Sequence, residues 1–152
     1  MKKNYLKDFL AEEDFEKISS CIAEVEKKTS GEIRVCIKRK RGLFENGKDT
    51  RELAIKEFAG QEMHKTIDKT GVMIFILLDE HKFEIIADEG INSKISRDKW
   101  DVITTAMSTE FAHGKFAEGI CDAVESIGLT LILEFPRKSD DKDELSNEII
   151  VK

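Results

Sequence analysis

The sequence is poor in the residues that announce a special class of protein: one proline, one tryptophan, one tyrosine and three cysteines among 152 residues. Cys21, Cys36 and Cys121 are far apart, odd in number and form no CxxC pair. That argues against a disulfide framework or a zinc site, and buried thiols acting as small hydrophobes are expected. No apolar run is long enough to cross a bilayer; the longest, residues 72–78, is far too short. The start of the chain is basic but is not followed by an apolar core, so a secretory signal is not expected and a cytoplasmic location is. There is no GxSxG elbow, P-loop, GxGxxG or HExxH, which removes the commonest signatures of hydrolases, nucleotide binders and metalloproteases.

What is present is an ordinary charge-rich globular composition, 40% hydrophobic and 37% charged, with a net charge of −6. A mildly acidic chain repels phosphate backbones, so nucleic acid is not expected as a partner. The one basic run, Lys38-Arg39-Lys40-Arg41, is short and sits at the exit of a strand, where a solvated turn is the ordinary reading.

Periodicity divides the chain into elements. Phe15, Ile18, Ile22 and Val25 predict an amphipathic helix over residues 11–28, ended by Thr29-Ser30-Gly31. Residues 32–38 alternate as a half-buried strand. A polar loop around Phe44 leads to a helix over residues 50–64, with Asp49 or Thr50 as its N-cap. Residues 71–78 are apolar on both faces, as in a central strand, and residues 83–88 return as its antiparallel partner. A short helical turn over residues 91–95 is followed by two helices. Trp100, Ile103, Met107 and Phe111 mark the first; Ala117, Ile120, Cys121, Val124, Ile127 and Leu131 mark the second, which Pro136 ends. The order α-β-α-β-β-α-α predicts an α/β fold, an open α/β/α sandwich with a small mixed sheet. One domain is expected over residues 1–136, with residues 137–152 a charged, disordered tail and the terminal Ile149-Ile150-Val151 a loose end.

Certain residues resemble a known family. They are Thr29-Ser30-Gly31-Glu32-Ile33-Arg34-Val35, Met63-His64-Lys65-Thr66 before Gly71-Val72, and Ala87-Asp88-Glu89-Gly90-Ile91 with Trp100 downstream. Their order and spacing resemble the TPM domain, found in thylakoid-lumen photosystem-repair proteins, animal receptor modulators and many bacterial proteins. The resemblance runs from Phe9 to Pro136 and implies the same sandwich, in a free-standing bacterial form. For relatives it implies either acid phosphatase activity or divalent-cation binding. The chain departs from a common family form at Lys69-Thr70, where an Arg-Asn pair often precedes the strand.

Strand directions then gather a candidate site. The starts of the first two strands and the end of the third share one end of the sheet, which brings together Thr29, Ser30, Glu32, Thr66, Asp88, Glu89 and Gly90. The carboxylates of Glu32, Asp88 and Glu89 are hard oxygen ligands suited to Ca²⁺ or Mg²⁺, with Gly90 expected to allow a left-handed turn; no organic cofactor is expected. The structural alternative is that Asp88 caps the turn after it and Glu32 pairs with Arg34 or Lys94 on the surface. At the opposite end, Asp79, Glu80 and His81 read as turn geometry, and His64 and His113 as helix-closing cations. Three functions are in view: a non-enzymatic, monomeric binding or scaffold domain with protein partners, a metal-dependent phosphatase acting on phosphomonoesters with Arg34 assisting, or a membrane-surface adaptor using the basic run.

Overall fold

The computed structural model describes residues 9–65, 69–137 and 149–152. Along them run α1 (Glu12–Glu26), β1 (Glu32–Lys38), α2 (Thr50–Gly60), β2 (Gly71–Leu77), β3 (Lys82–Ala87), a short α3 (Glu89–Asn92), α4 (Arg97–Ala112), α5 (Phe116–Glu134) and β4 (Ile150–Val151). Short 3₁₀ turns occupy Met63–Lys65 and Leu78–Glu80. The strands form one mixed sheet in the order β3-β2-β1-β4. The pair β1 and β2 is parallel through the α2 crossover, and β3 returns antiparallel to β2.

The sheet is sandwiched between helices. Ile33, Val35 and Ile37 of β1 and Val72, Ile74 and Ile76 of β2 join the cluster that contains Ile18 and Ile22 of α1, Met107 of α4 and Ile127 and Leu131 of α5. On the other face Cys36, Met73, Phe75, Leu77 and Ile86 pack with Leu53, Ala54 and Phe58 of α2. This double cover explains one departure from the alternation in β1: every residue from Glu32 to Ile37 is buried, polar ones included.

Local chemistry sets the helix ends. Asp14 accepts from the Ala11 N–H at 2.8 Å, and three acidic residues lead α1, which suits the positive end of the helix. Asp49 caps α2 by accepting from the Glu52 N–H at 2.8 Å. Helix α5 runs through residues 129–133 as the continuous periodicity implies, and it ends at Glu134, just before Pro136. Gly128 lets α5 lie against α1: a methyl group there would stand 2.6 Å from a Val25 methyl.

The last residues differ from the expected loose end. Ile150 and Val151 pair in parallel with Cys36 and Ile37, the Lys152 N–H donates to the Ile37 carbonyl at 2.7 Å, and the Arg39 N–H donates to the Lys152 carbonyl at 3.3 Å. The physical reason is the outer edge of β1, whose main-chain groups gain a partner from a β-branched run. The acidic run at residues 140–144 lies outside the described residues.

Candidate acidic site at the sheet end

The register places the site. Glu32 lies opposite Gly71, Val72 lies opposite Ala87, and the Asp88 N–H donates to the Gly71 carbonyl at 2.9 Å. Glu32, Gly71 and Asp88 therefore stand side by side across three strands. They belong to the rows that continue into Cys36, Met73 and Ile86, on the α2 face. The middle position has no side chain, and a methyl group there would stand 2.8 Å from the Met63 carbonyl oxygen. The 3₁₀ turn Met63–Lys65 thus lies directly over Gly71. It is bracketed by Glu62 and Lys69, both non-glycine residues in the left-handed region (φ 59° and 58°).

The predicted residues divide into groups. Glu32 is buried, at 2% exposure, rather than on the surface. Asp88 is half-buried and forms the cap weighed for it. Its Oδ1 caps α3 by accepting from the Glu89 N–H at 2.8 Å, while its Oδ2 is buried with no partner among the described residues. Glu89 is exposed in the first turn of α3. Gly90 is helical there, so the left-handed turn expected of it is not formed; the left-handed residues at this end are Glu62 and Lys69. The helical turn itself begins earlier than expected, at Glu89.

Thr29 and Ser30 serve the fold instead. The Thr29 hydroxyl donates to the Phe135 carbonyl at 2.5 Å and lies 3.1 Å from that of Leu131, and the Ser30 N–H donates to the Phe135 carbonyl at 2.9 Å. These contacts take up the Phe135 carbonyl, which lies just past the end of α5 and has no following helical turn to bond it. Thr66 lies outside the described residues. Among the described residues no group of three or more His, Cys, Asp or Glu side chains is arranged to hold a metal ion.

Other chemistry near the site is restrained. Arg34 is 8% exposed and follows Glu32 on the same face; its Nη1 donates to the Gln61 side-chain oxygen at 3.2 Å, and its Nε has no partner among the described residues. Burial pushes the Cys36 thiol up to about 12, with the Glu57 carboxylate adding to the effect. A thiol so protonated is no nucleophile at neutral pH. Two buried carboxylates escaped the sequence reading. Glu26 accepts from the Ile33 N–H at 2.8 Å and so ties the end of α1 to the start of β1; its signal was its place beside Val25 on the apolar stripe. Glu45 lies at the opposite end of the sheet, where the hairpin turn is also ion-paired, Glu80 to Arg41 at 2.7 Å and Asp79 to Arg39 at 3.6 Å.

A family model for the TPM domain matches residues 4–129. The chain belongs to the TPM domain family. It is similar over the whole of both chains to the NMR structure of the BA42 protein from the psychrophilic bacterium Bizionia argentinensis, at 35% identity with a TM-score of 0.87. Two further solved domains share the TPM-type fold at lower identity. The N-terminal domain of the cg2496 protein from Corynebacterium glutamicum is 15% identical, with 80% of this chain and 74% of that one covered and a TM-score of 0.61. An N-terminal domain from P. gingivalis is 19% identical, with 86% and 82% covered and the same TM-score of 0.61. No functionally curated protein shows significant similarity to this TPM domain.

Proposed function

We propose that this TPM domain is a non-enzymatic binding or scaffold module whose acidic sheet end, formed by Glu32, Asp88 and Glu89, takes a divalent cation, Ca²⁺ or Mg²⁺. The observation that carries the reading is the Asp88 carboxylate. One oxygen is spent on capping α3, and the other is buried without a partner among the described residues, in register with buried Glu32 and with Gly71, covered by the Met63 carbonyl, between them. A buried carboxylate oxygen left so is costly, and a hard cation is the ligand that relieves it best. Glu32 and Asp88 supply two carboxylates; main-chain carbonyls, water and Glu89 at the rim are the remaining hard donors, as Ca²⁺ and Mg²⁺ sites ordinarily use. The bound ion would draw the starts of β1 and β2 and the end of β3 together. A cytoplasmic setting suits three free cysteines, two of them buried.

The test is amide NMR with added Ca²⁺ or Mg²⁺. Saturable shifts are expected at Glu32, Gly71, Asp88 and Glu89, lost in Asp88→Asn with the fold retained. An unmoved spectrum at millimolar metal would refute the cation reading. The alternative is a metal-dependent phosphatase acting on phosphomonoesters, favoured by the Nε of Arg34, which has no partner among the described residues and lies on the same face as Glu32. Hydrolysis of a simple aryl phosphate that disappears in folded Asp88→Asn would move the assignment there; hydrolysis that survives it would point to a contaminant.

A further inference from the structure

The outer edge of β3 is unlike the other sheet margin, which β4 covers. Because the Asp88 N–H bonds the Gly71 carbonyl, the antiparallel ladder turns alternate residues Glu84 and Ile86 inward to β2. The main-chain groups of Phe83, Ile85 and Ala87 consequently face away from the sheet, and among the described residues no strand pairs with them. The Asn92 side-chain amide donates to the Ala87 carbonyl at 2.7 Å and closes the lower end. The N–H and C=O of Phe83 and Ile85 and the N–H of Ala87 are left without a main-chain partner among the described residues.

Opposite this edge stands one face of α4, with Trp100, Thr104 and Ser108 spaced four apart. Two adjoining clefts, of about 570 and 540 Å³, run between strand and helix and share Phe83 and Thr104. Each lies in the size range of ligand pockets, roughly 300–1,000 Å³. The lower cleft is polar: Arg51, in an ion pair with Glu84 at 3.3 Å, flanks it from α2, and Arg97 flanks it from α4. Edge strands are often blunted by short length and by charge, and β3 has some of both. What blunting does not explain is Trp100. Its indole N–H is buried and has no acceptor among the described residues, although the ring lines the groove. Buried Trp N–H groups normally have partners.

We propose that this groove binds an extended peptide segment of a partner protein as an added strand, with its backbone paired to Phe83 and Ile85 and one of its carbonyls accepting from Trp100 Nε1. The occupant follows from the donors and acceptors: alternate free N–H and C=O groups on one wall match the edge of an extended chain and little else. Main-chain pairing supplies affinity with little sequence selectivity, and the hydroxyl-lined wall of α4 and the two arginines supply what preference there is. This surface is separate from the cation proposal and stands or falls without it.

The experiment is amide NMR of the full chain in EDTA, titrated with a capped peptide of alternating valine and threonine that carries a glutamate at each end for solubility. Saturable shifts at Phe83, Ile85 and the Trp100 indole are expected, with slowed exchange of the Ile85 amide. Trp100→Phe, which keeps an aromatic ring but removes the N–H with the five-membered half of the indole, should weaken binding roughly threefold to tenfold. The same peptide N-methylated at every residue, used on unaltered protein, should bind more than about tenfold more weakly. Three results would overturn the proposal: no shift at millimolar peptide, shifts that N-methylation leaves undiminished, or shifts at β3 that grow with protein concentration alone and so identify a second copy as the occupant. Because EDTA removes divalent metal, neither this result nor the metal titration can stand in for the other.

Discussion

The loop between β1 and α2 hangs on one carboxylate, and replacing Glu45 by Gln should loosen it in a way that depends on pH. Glu45 is buried and takes three donors: Lys38 at 2.7 Å, the Gly42 N–H at 2.6 Å and Lys56 at 3.4 Å. The Lys38 bond first, and the Gly42 N–H next, lower its carboxyl from 4.5 to about 2. Linkage between that depression and folding caps the charge contribution at about 3 kcal/mol. Lys56 is 64% exposed, so water screens its share, and about 1–2 kcal/mol is the better expectation. Because the folded-state value is depressed, the stabilisation is complete above the unfolded value. It fades as pH falls from about 5 toward 2. Urea unfolding of both proteins, followed by circular dichroism, should therefore show Glu45→Gln less stable by about 1–2 kcal/mol near neutral pH and nearly equal to the parent only near pH 2. Lys38→Met should reproduce most of the loss, since Lys38 is 17% exposed, and Lys56→Met little of it. An equal loss at both pH values would refute the charge reasoning and leave only shape. Arg41 adds a second brace, its guanidinium donating to the Glu45 carbonyl at 3.0 Å, to the Lys48 carbonyl and to Glu80. Together they hold out Leu43 and Phe44, both more than 90% exposed.

Two glycines should respond oppositely to alanine. Gly60, near the end of α2, has open space around an added methyl, so Gly60→Ala should raise thermal stability by up to about 1 kcal/mol through helix propensity. Gly128→Ala gains the same propensity but drives a methyl to 2.6 Å from Val25, and overpacking of that kind costs about 1–3 kcal/mol, so a net loss is expected; a gain would show that α1 and α5 slide apart freely. For the thiols, burial holds Cys36 and Cys121 at about 12 while Cys21 is partly exposed, so native protein treated with iodoacetamide at mildly alkaline pH should lose Cys21 first by mass spectrometry. Labelling of all three at one rate would mean that the fold opens on the time scale of the reaction.

Much of the fold was legible because its rules are local or directional. The periodicity of Phe15, Ile18, Ile22 and Val25 and the continuous phase of residues 117–131 gave the helices, and the parallel crossover followed by an antiparallel return placed Glu32, Gly71 and Asp88 at one level. The fourth strand was not legible: it is two residues long, too short for any period, and its partner Cys36 lies more than a hundred positions earlier. The same limit applied to the acidic end. Sequence gives three carboxylates and a hard-ligand argument, but whether each is a ligand, a cap or a surface charge depends on what covers it. Here the cover is the turn Met63–Lys65 seated on Gly71, and it exists because Gly71 has no side chain to hold it off. That contact separates Glu32 and Asp88, which stand on the α2 face with Gly71 between them, from Glu89, which stays in solvent. The motif residue that reading by charge passed over, Trp100, shows the converse: its ring fits the expected apolar stripe, and only the position of its indole N–H, buried without an acceptor among the described residues beside an edge that no described strand pairs with, sets it apart.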